Sequence, residues 1–168
     1  KNYEFLWYVG VLIFFFCLIF LTLEKTKFDY VILWGLSLWG FLHMMGGGFV
    51  VGDHVLYAQQ IIHLFDVGDT YVLAFDQLVH MIGFGVTALV AWHLLKPRLS
   101  KNYSKFWIYV FVIGVAMGAG ALNEIVEFIA VVVMPETGVG GYYNTALDLV
   151  FNMTGAIIAV GYIYFSGR

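Results

Sequence analysis

The chain has 168 residues, of which 62% are apolar and 11% charged, with a net charge of −3. A soluble domain averages ~45–50% apolar and ~25% charged residues, so this chain lacks the polar side chains to cover a water-soluble surface. Its hydrophobicity also excludes disorder. Acidic residues outnumber basic ones 11 to 8, which leaves no basic patch for a phosphate backbone and argues against nucleic acid as a partner. The single cysteine, Cys17, excludes a disulfide framework, a cysteine-rich zinc site and an iron–sulfur cluster.

A membrane-spanning helix needs about 20 mostly apolar residues. Five stretches qualify: residues 5–23, 29–47, 72–95, 105–134 and 144–165. The first is too long and too aromatic for a signal peptide, and no A-x-A site follows it. A chain that begins at Lys1 rather than Met is expected to be processed or to continue upstream. The fourth stretch must tilt or protrude if it is unbroken. Gly114, Gly118 and Gly120 lie along it with Ala116, Ala119 and Ala121, a pattern that predicts close helix packing. The expected fold is all-α: one polytopic transmembrane domain, residues 1–168, with about five helices.

Basic residues mark the cytoplasmic side. Lys25 and Lys27 follow the first span, Lys96, Arg98, Lys101 and Lys105 follow the third, and Arg168 ends the chain. The loops at 48–71 and 135–143 hold no Lys or Arg. The expected location is the cell membrane, multi-pass, with the N-terminus outside and the C-terminus cytoplasmic. Only Lys1 falls outside, and a further span upstream would not change the orientation. The outer loop 48–71 centres on VLYAQQIIHLF, too short to span, which predicts a short re-entrant or interfacial helix. Asp53, Asp66 and Asp69 in this loop are expected to be solvated, and His93 to lie at the inner interface.

Ionisable groups within a span cost ~2.5–3.5 kcal/mol each on insertion scales, and are functional by default. Here they share one depth. His43 lies near the outer end of the second span, Asp76 and His80 open the third, Glu124 and Glu127 occupy the outer half of the fourth beside Asn123, and Asp148 and Asn152 lie in the outer turns of the fifth. Spacings of i, i+4 for Asp76/His80 and Asp148/Asn152, and i, i+3 for Glu124/Glu127, put each pair on one helix face. No Lys or Arg occurs from 28 to 95 or from 106 to 167. Buried carboxylates must be paired, protonated or metal-bound. His43, Asp76, His80, Glu124, Glu127 and Asp148 are therefore candidate ligands for a divalent metal (Zn, Mn, Fe or Mg), with Asn123 and Asn152 as further polar members. The pattern is similar to carboxylate-bridged di-metal helical sites, without their Glu-x-x-His. Protonated carboxyls that only hydrogen-bond between helices are the alternative.

LHMMGG, FDQLVH, NEIVEF and LDLVFNMTGAIIA together resemble the YjdF-like small membrane proteins and, more distantly, the VanZ-like proteins. The resemblance covers about residues 40–160. It implies a role at the cell envelope and supplies no reaction. The sequence departs from the YjdF-like pattern at Gln77, where an Arg is usual, and in EFIAVVVMPETG, which replaces an aromatic-rich stretch.

The leading expectation is an outward-facing polar site that binds a divalent metal, a lipid headgroup, or both. In an enzyme, Glu124 or Glu127 is the natural base for metal-assisted hydrolysis or transfer at a headgroup. The alternatives are a proton or cation carrier and an accessory subunit of a membrane complex. Expected partners are membrane lipids and, for a subunit, other membrane proteins.

Overall fold

A computed structural model of the protein describes residues 3–68, 70–134 and 141–168. Lys1, Asn2, Asp69 and residues 135–140 lie outside the described residues. Among the described residues, five helices are long and apolar enough to cross a membrane. They are α1 (Tyr3–Thr26), α2 (Tyr30–Gly48), α3 (Phe75–Leu95), α4 (Lys105–Val133) and α5 (Tyr142–Ser166). This is the expected helix bundle. The third helix starts at Phe75 rather than residue 72, because the preceding residues belong to a strand. The fourth is unbroken over 29 residues, a rise of about 43 Å that must tilt or protrude from a ~30 Å hydrocarbon layer.

The segment between α2 and α3 differs from expectation. Its helix is reduced to one 3-10 turn, Leu56–Ala58, between two antiparallel hairpins. The first pairs β1 (Val50–Val51) with β2 (His54–Val55), and the second pairs β3 (Gln60–Val67) with β4 (Thr70–Ala74). Ile61, Ile62, Val67, Tyr71 and Val72 favour a pleated surface over a helix. Val51 faces His54 and Val67 faces Thr70, so each turn has two residues. Each turn opens on a glycine with positive φ, Gly52 at 63° and Gly68 at 58°. Gly52-Asp53 occupies the first turn, a recognised two-residue hairpin signal, and Gly68 opens the second.

Helices α3, α4 and α5 share a core of Ala88, Trp92, Val112, Ala116, Ala156, Ala159 and Ile163. Within a bilayer, helix association depends on close packing rather than on water exclusion. At the α3–α5 crossing two glycines supply it. A Cβ on Gly85 would stand 3.1 Å from the Gly155 carbonyl oxygen, and a Cβ on Gly155 would overlap the Met81 carbonyl oxygen. Helix α2 packs on α3, where Gly35 accommodates Val86 and Gly83 accommodates Trp39. The small residues of α4 serve unequally. Ala116 and Gly120 are buried, whereas Gly114 and Gly118 have no neighbour within 4 Å. The stripe of small residues winds around the helix, so only its part facing α3 and α5 makes the close packing expected of all of it.

Helix α1 packs chiefly against α2 and buries none of its described side chains. At the end of the bundle opposite the hairpins, Asp29 caps α2 by accepting from the Ile32 amide at 3.1 Å and pairs with Arg168 at 3.0 Å. His93 donates Nε2–H to the Thr26 carbonyl at 2.8 Å, tying the ends of α1 and α3. Asp53 and Asp66 are exposed, and Asp66 lies 3.7 Å from His63.

Candidate functional site

The first turns of α3 are fixed by Gln77. Its side chain is fully buried, accepts from the Ala74 amide at 3.2 Å and donates to the Tyr71 carbonyl at 2.8 Å. It thereby satisfies an orphan donor of the helix start and holds β4 to α3. One turn on, His80 faces the bundle interior with 6% of its side chain exposed. Its Nδ1 lies 3.0 Å from Asn152 Oδ1 on α5. An oxygen accepting there makes Nδ1 the protonated nitrogen and leaves the Nε2 lone pair for a ligand. Gly120 makes room for this contact, since a Cβ there would stand 2.6 Å from Asn152 Nδ2.

Carboxylates from three helices surround the ring. Asp76 is 3.6 Å from Nε2, Glu127 is 3.9 Å from Nε2, and Glu124 is 3.8 Å from Nδ1. Ligand atoms of Asp76, His80 and Asp148 lie within 4.8 Å of one another, and so do those of His80, Glu124 and Glu127. The five residues expected to converge from three helices do converge. The separations exceed hydrogen-bond length. They approach the roughly 3.0–3.4 Å between two ligands held ~2.0–2.1 Å from one ion.

Amides hold some of the carboxylates in place. Asn123 donates to Glu127 at 2.7 Å. Asn144 donates to Asp148 at 2.7 Å and to Asp76 at 3.3 Å, bridging α5 and α3. Asn144 was not singled out in the sequence. The signal was its i, i+4 step to Asp148, which extends the Asp148/Asn152 face by one turn. Other groups are left over. Among the described residues, both oxygens of Glu124, whose side chain is 9% exposed, have no hydrogen-bond partner, and neither does Oδ1 of the fully buried Asp148. An unsatisfied buried group costs about 1–3 kcal/mol, and more if charged.

His43 is placed differently. It belongs to neither group of converging ligand atoms. Its Nδ1 lies 2.5 Å from the Tyr57 hydroxyl, which also donates to the His43 carbonyl at 3.0 Å. The Trp39 ring stacks on the imidazole at 5.3 Å, and Gly46 leaves space for the Tyr57 ring. Tyr57 carried no local sequence signal, because it meets a histidine 14 residues earlier through the hairpin fold. His43 nevertheless lines the same cavity as Asp76, His80 and Glu127. This cavity, of about 1490 Å³, lies among α1, α2, α3 and α4. Glu124 instead borders a smaller space of about 280 Å³ between α4 and α5, which Glu127 also reaches.

A family model described as "Predicted membrane protein (DUF2238)" matches residues 1–168. The chain belongs to the DUF2238 family of membrane proteins. The match covers the whole chain and includes every residue of the polar cluster. No curated protein and no solved structure matches the chain.

Proposed function

We propose that this DUF2238 member holds a divalent cation at the His80 cluster and presents it to lipid headgroups. The observation that carries the reading is Glu124. Its carboxylate oxygens are buried, meet no partner at hydrogen-bond distance among the described residues, and lie 3.8 Å from an imidazole with two further carboxylate neighbours. A cation at the cluster supplies the missing partner for Glu124 and Asp148. It also balances four acidic side chains in a region whose sequence holds no Lys or Arg. His80, Asp76, Glu124 and Asp148 are the proposed ligands, with Glu127 beside them. Asn152, Asn123 and Asn144 orient the set.

An enzymatic version follows from the cavity. Glu127 borders the large cavity and Glu124 does not, so Glu127 is the proposed general base. It would take a proton from a water as the water oxygen bonds to a headgroup phosphorus or acyl carbon, and the leaving oxygen would regain a proton. A carrier is less favoured. Toward the basic end of the cavity the hydroxyls are Ser37 and Thr87, and both donate to their own helix backbone. An accessory subunit would use the cluster only as glue between helices, which leaves the Glu124 oxygens unexplained.

The test is a titration of metal-stripped protein with Mn2+, followed by the loss of the free-ion electron spin resonance signal. Saturable binding by wild type is expected, weakened at least ~10-fold in Glu124→Gln or Asp76→Asn. Equal binding by the variants would remove the cation reading.

The Lys and Arg distribution supports an orientation with the hairpins outside and the C-terminus cytoplasmic. In a Cys17→Ser background, a cysteine at Asp53 should react with a membrane-impermeant maleimide on intact cells, and one at Lys101 only after lysis. The reverse pattern would invert the topology. A proposed role at the cell envelope depends on that orientation.

A further inference from the structure

The cavity beside the cluster is larger than a cation needs, and its polarity is graded. Its polar side chains, including Tyr57, Asp76, His80, Asn123 and Glu127, gather at the hairpin end. Toward the basic end its wall is Phe14, Phe16, Ile19, Leu23, Leu33 and Leu36. Ser37 and Thr87 interrupt that wall, but their hydroxyls are satisfied by the Leu33 and Gly83 carbonyls. From Leu33 to Met44 the wall follows a twelve-residue stretch of α2, a rise of about 16 Å, close to the ~15 Å of one hydrocarbon leaflet. The volume of about 1490 Å³ exceeds the ~300–1,000 Å³ usual for small-molecule sites.

Access is from the side. Helix α1 packs mainly on α2, and α4 packs mainly on α3 and α5, so α1 and α4 line the cleft with few contacts to each other, which leaves a side entrance between them as the expected route. Two glycines keep it wide. Gly10 has no neighbour within 4 Å, and a Cβ on Gly40 would meet only Leu12, at 3.6 Å. Both line the cavity.

We infer that this cleft is a binding site for one membrane phospholipid, with a hydrocarbon chain between α1, α2 and α3 and the phosphate at the His80 cluster. The apolar wall of one-leaflet length selects the chain. The carboxylates select a headgroup that reaches them through a cation, because no Lys or Arg lines the cavity among the described residues. The headgroup contact rests on the cation reading above, whereas the chain site does not.

The experiment is native mass spectrometry of protein released from nanodiscs of phosphatidylglycerol and phosphatidylethanolamine. Wild type should retain one phospholipid per chain. Gly10→Leu and Gly40→Leu put side chains into the cleft without touching the cluster. Each should reduce retention at least ~10-fold while Mn2+ binding persists, which also shows that the variants are folded. Glu124→Gln should lose Mn2+ and keep a lipid, with the chain site intact. An independent measurement uses Trp39, which lines the cleft. One equivalent of a chain-brominated phosphatidylglycerol in detergent should quench the part of the emission that Trp39→Phe removes. Equal lipid retention by wild type and the glycine variants, or no Trp39 quenching, would overturn the chain site. Lipid retention with no Mn2+ binding in wild type would overturn the cation and headgroup contact alone.

Discussion

Gly155→Ala should be the most damaging conservative substitution in the bundle. Its new methyl would overlap the Met81 carbonyl oxygen and approach the Gly85 amide nitrogen at 3.0 Å. Both obstacles are backbone, so no rotamer change relieves them, and α3 and α5 must separate. Overpacking costs about 1–3 kcal/mol where side chains can yield, and more where they cannot. The loss should therefore be at least ~3 kcal/mol, or about 6–12 °C in melting temperature for a chain of this size. Separation also pulls Asn152, three residues earlier on α5, away from His80, so cation affinity should fall as well. Gly161→Ala on the same helix is the control, because Gly161 has no neighbour within 4 Å. Similar melting of the two variants in detergent would contradict the glycine crossing.

The second large effect should appear on chelation. A ligand that binds only the folded state stabilises it by about 2.7 kcal/mol when present at a hundred times its dissociation constant. Removing the cation with a chelator should then lower the melting temperature of wild type by about 5–10 °C. Excess Zn2+ or Mn2+ should restore it. His80→Ala should abolish both responses, because the nitrogen shared by both groups of ligand atoms is gone. A cluster held together by protonated carboxyls instead predicts a melting temperature that ignores chelator.

The spans and the polar layer were legible because a bilayer imposes simple rules. Long apolar runs must be helical, and ionisable residues within them are rare enough that a shared depth is informative. The i, i+4 and i, i+3 spacings of Asp76/His80 and Glu124/Glu127 carried the convergence. The hairpins were less legible, since Val-Leu-Tyr-Ala-Gln-Gln-Ile-Ile-His-Leu-Phe is short enough to read with either period. The turn glycines that decide it, Gly52 and Gly68, lie just beyond the edges of that run. Asn144 was hidden by its place near a helix start, where a polar residue passes for a cap. His43 shared the depth of the cluster, yet depth does not fix azimuth, and the structure turns it toward Tyr57. The same ambiguity affects Gly114 and Gly118, whose small size says nothing about the face they occupy.

The proposed cation site rests on the buried Glu124 and Asp148 oxygens that meet no hydrogen-bond partner among the described residues. The most direct measurement is the metal content of protein purified from membranes without added metal, by inductively coupled plasma mass spectrometry. About one divalent ion per chain in wild type is predicted, with a sharp loss in Asp76→Asn and His80→Ala variants that still elute as folded protein. Folded wild-type protein with no stoichiometric divalent metal would rule the cation site out and leave the cluster as interhelical hydrogen bonding.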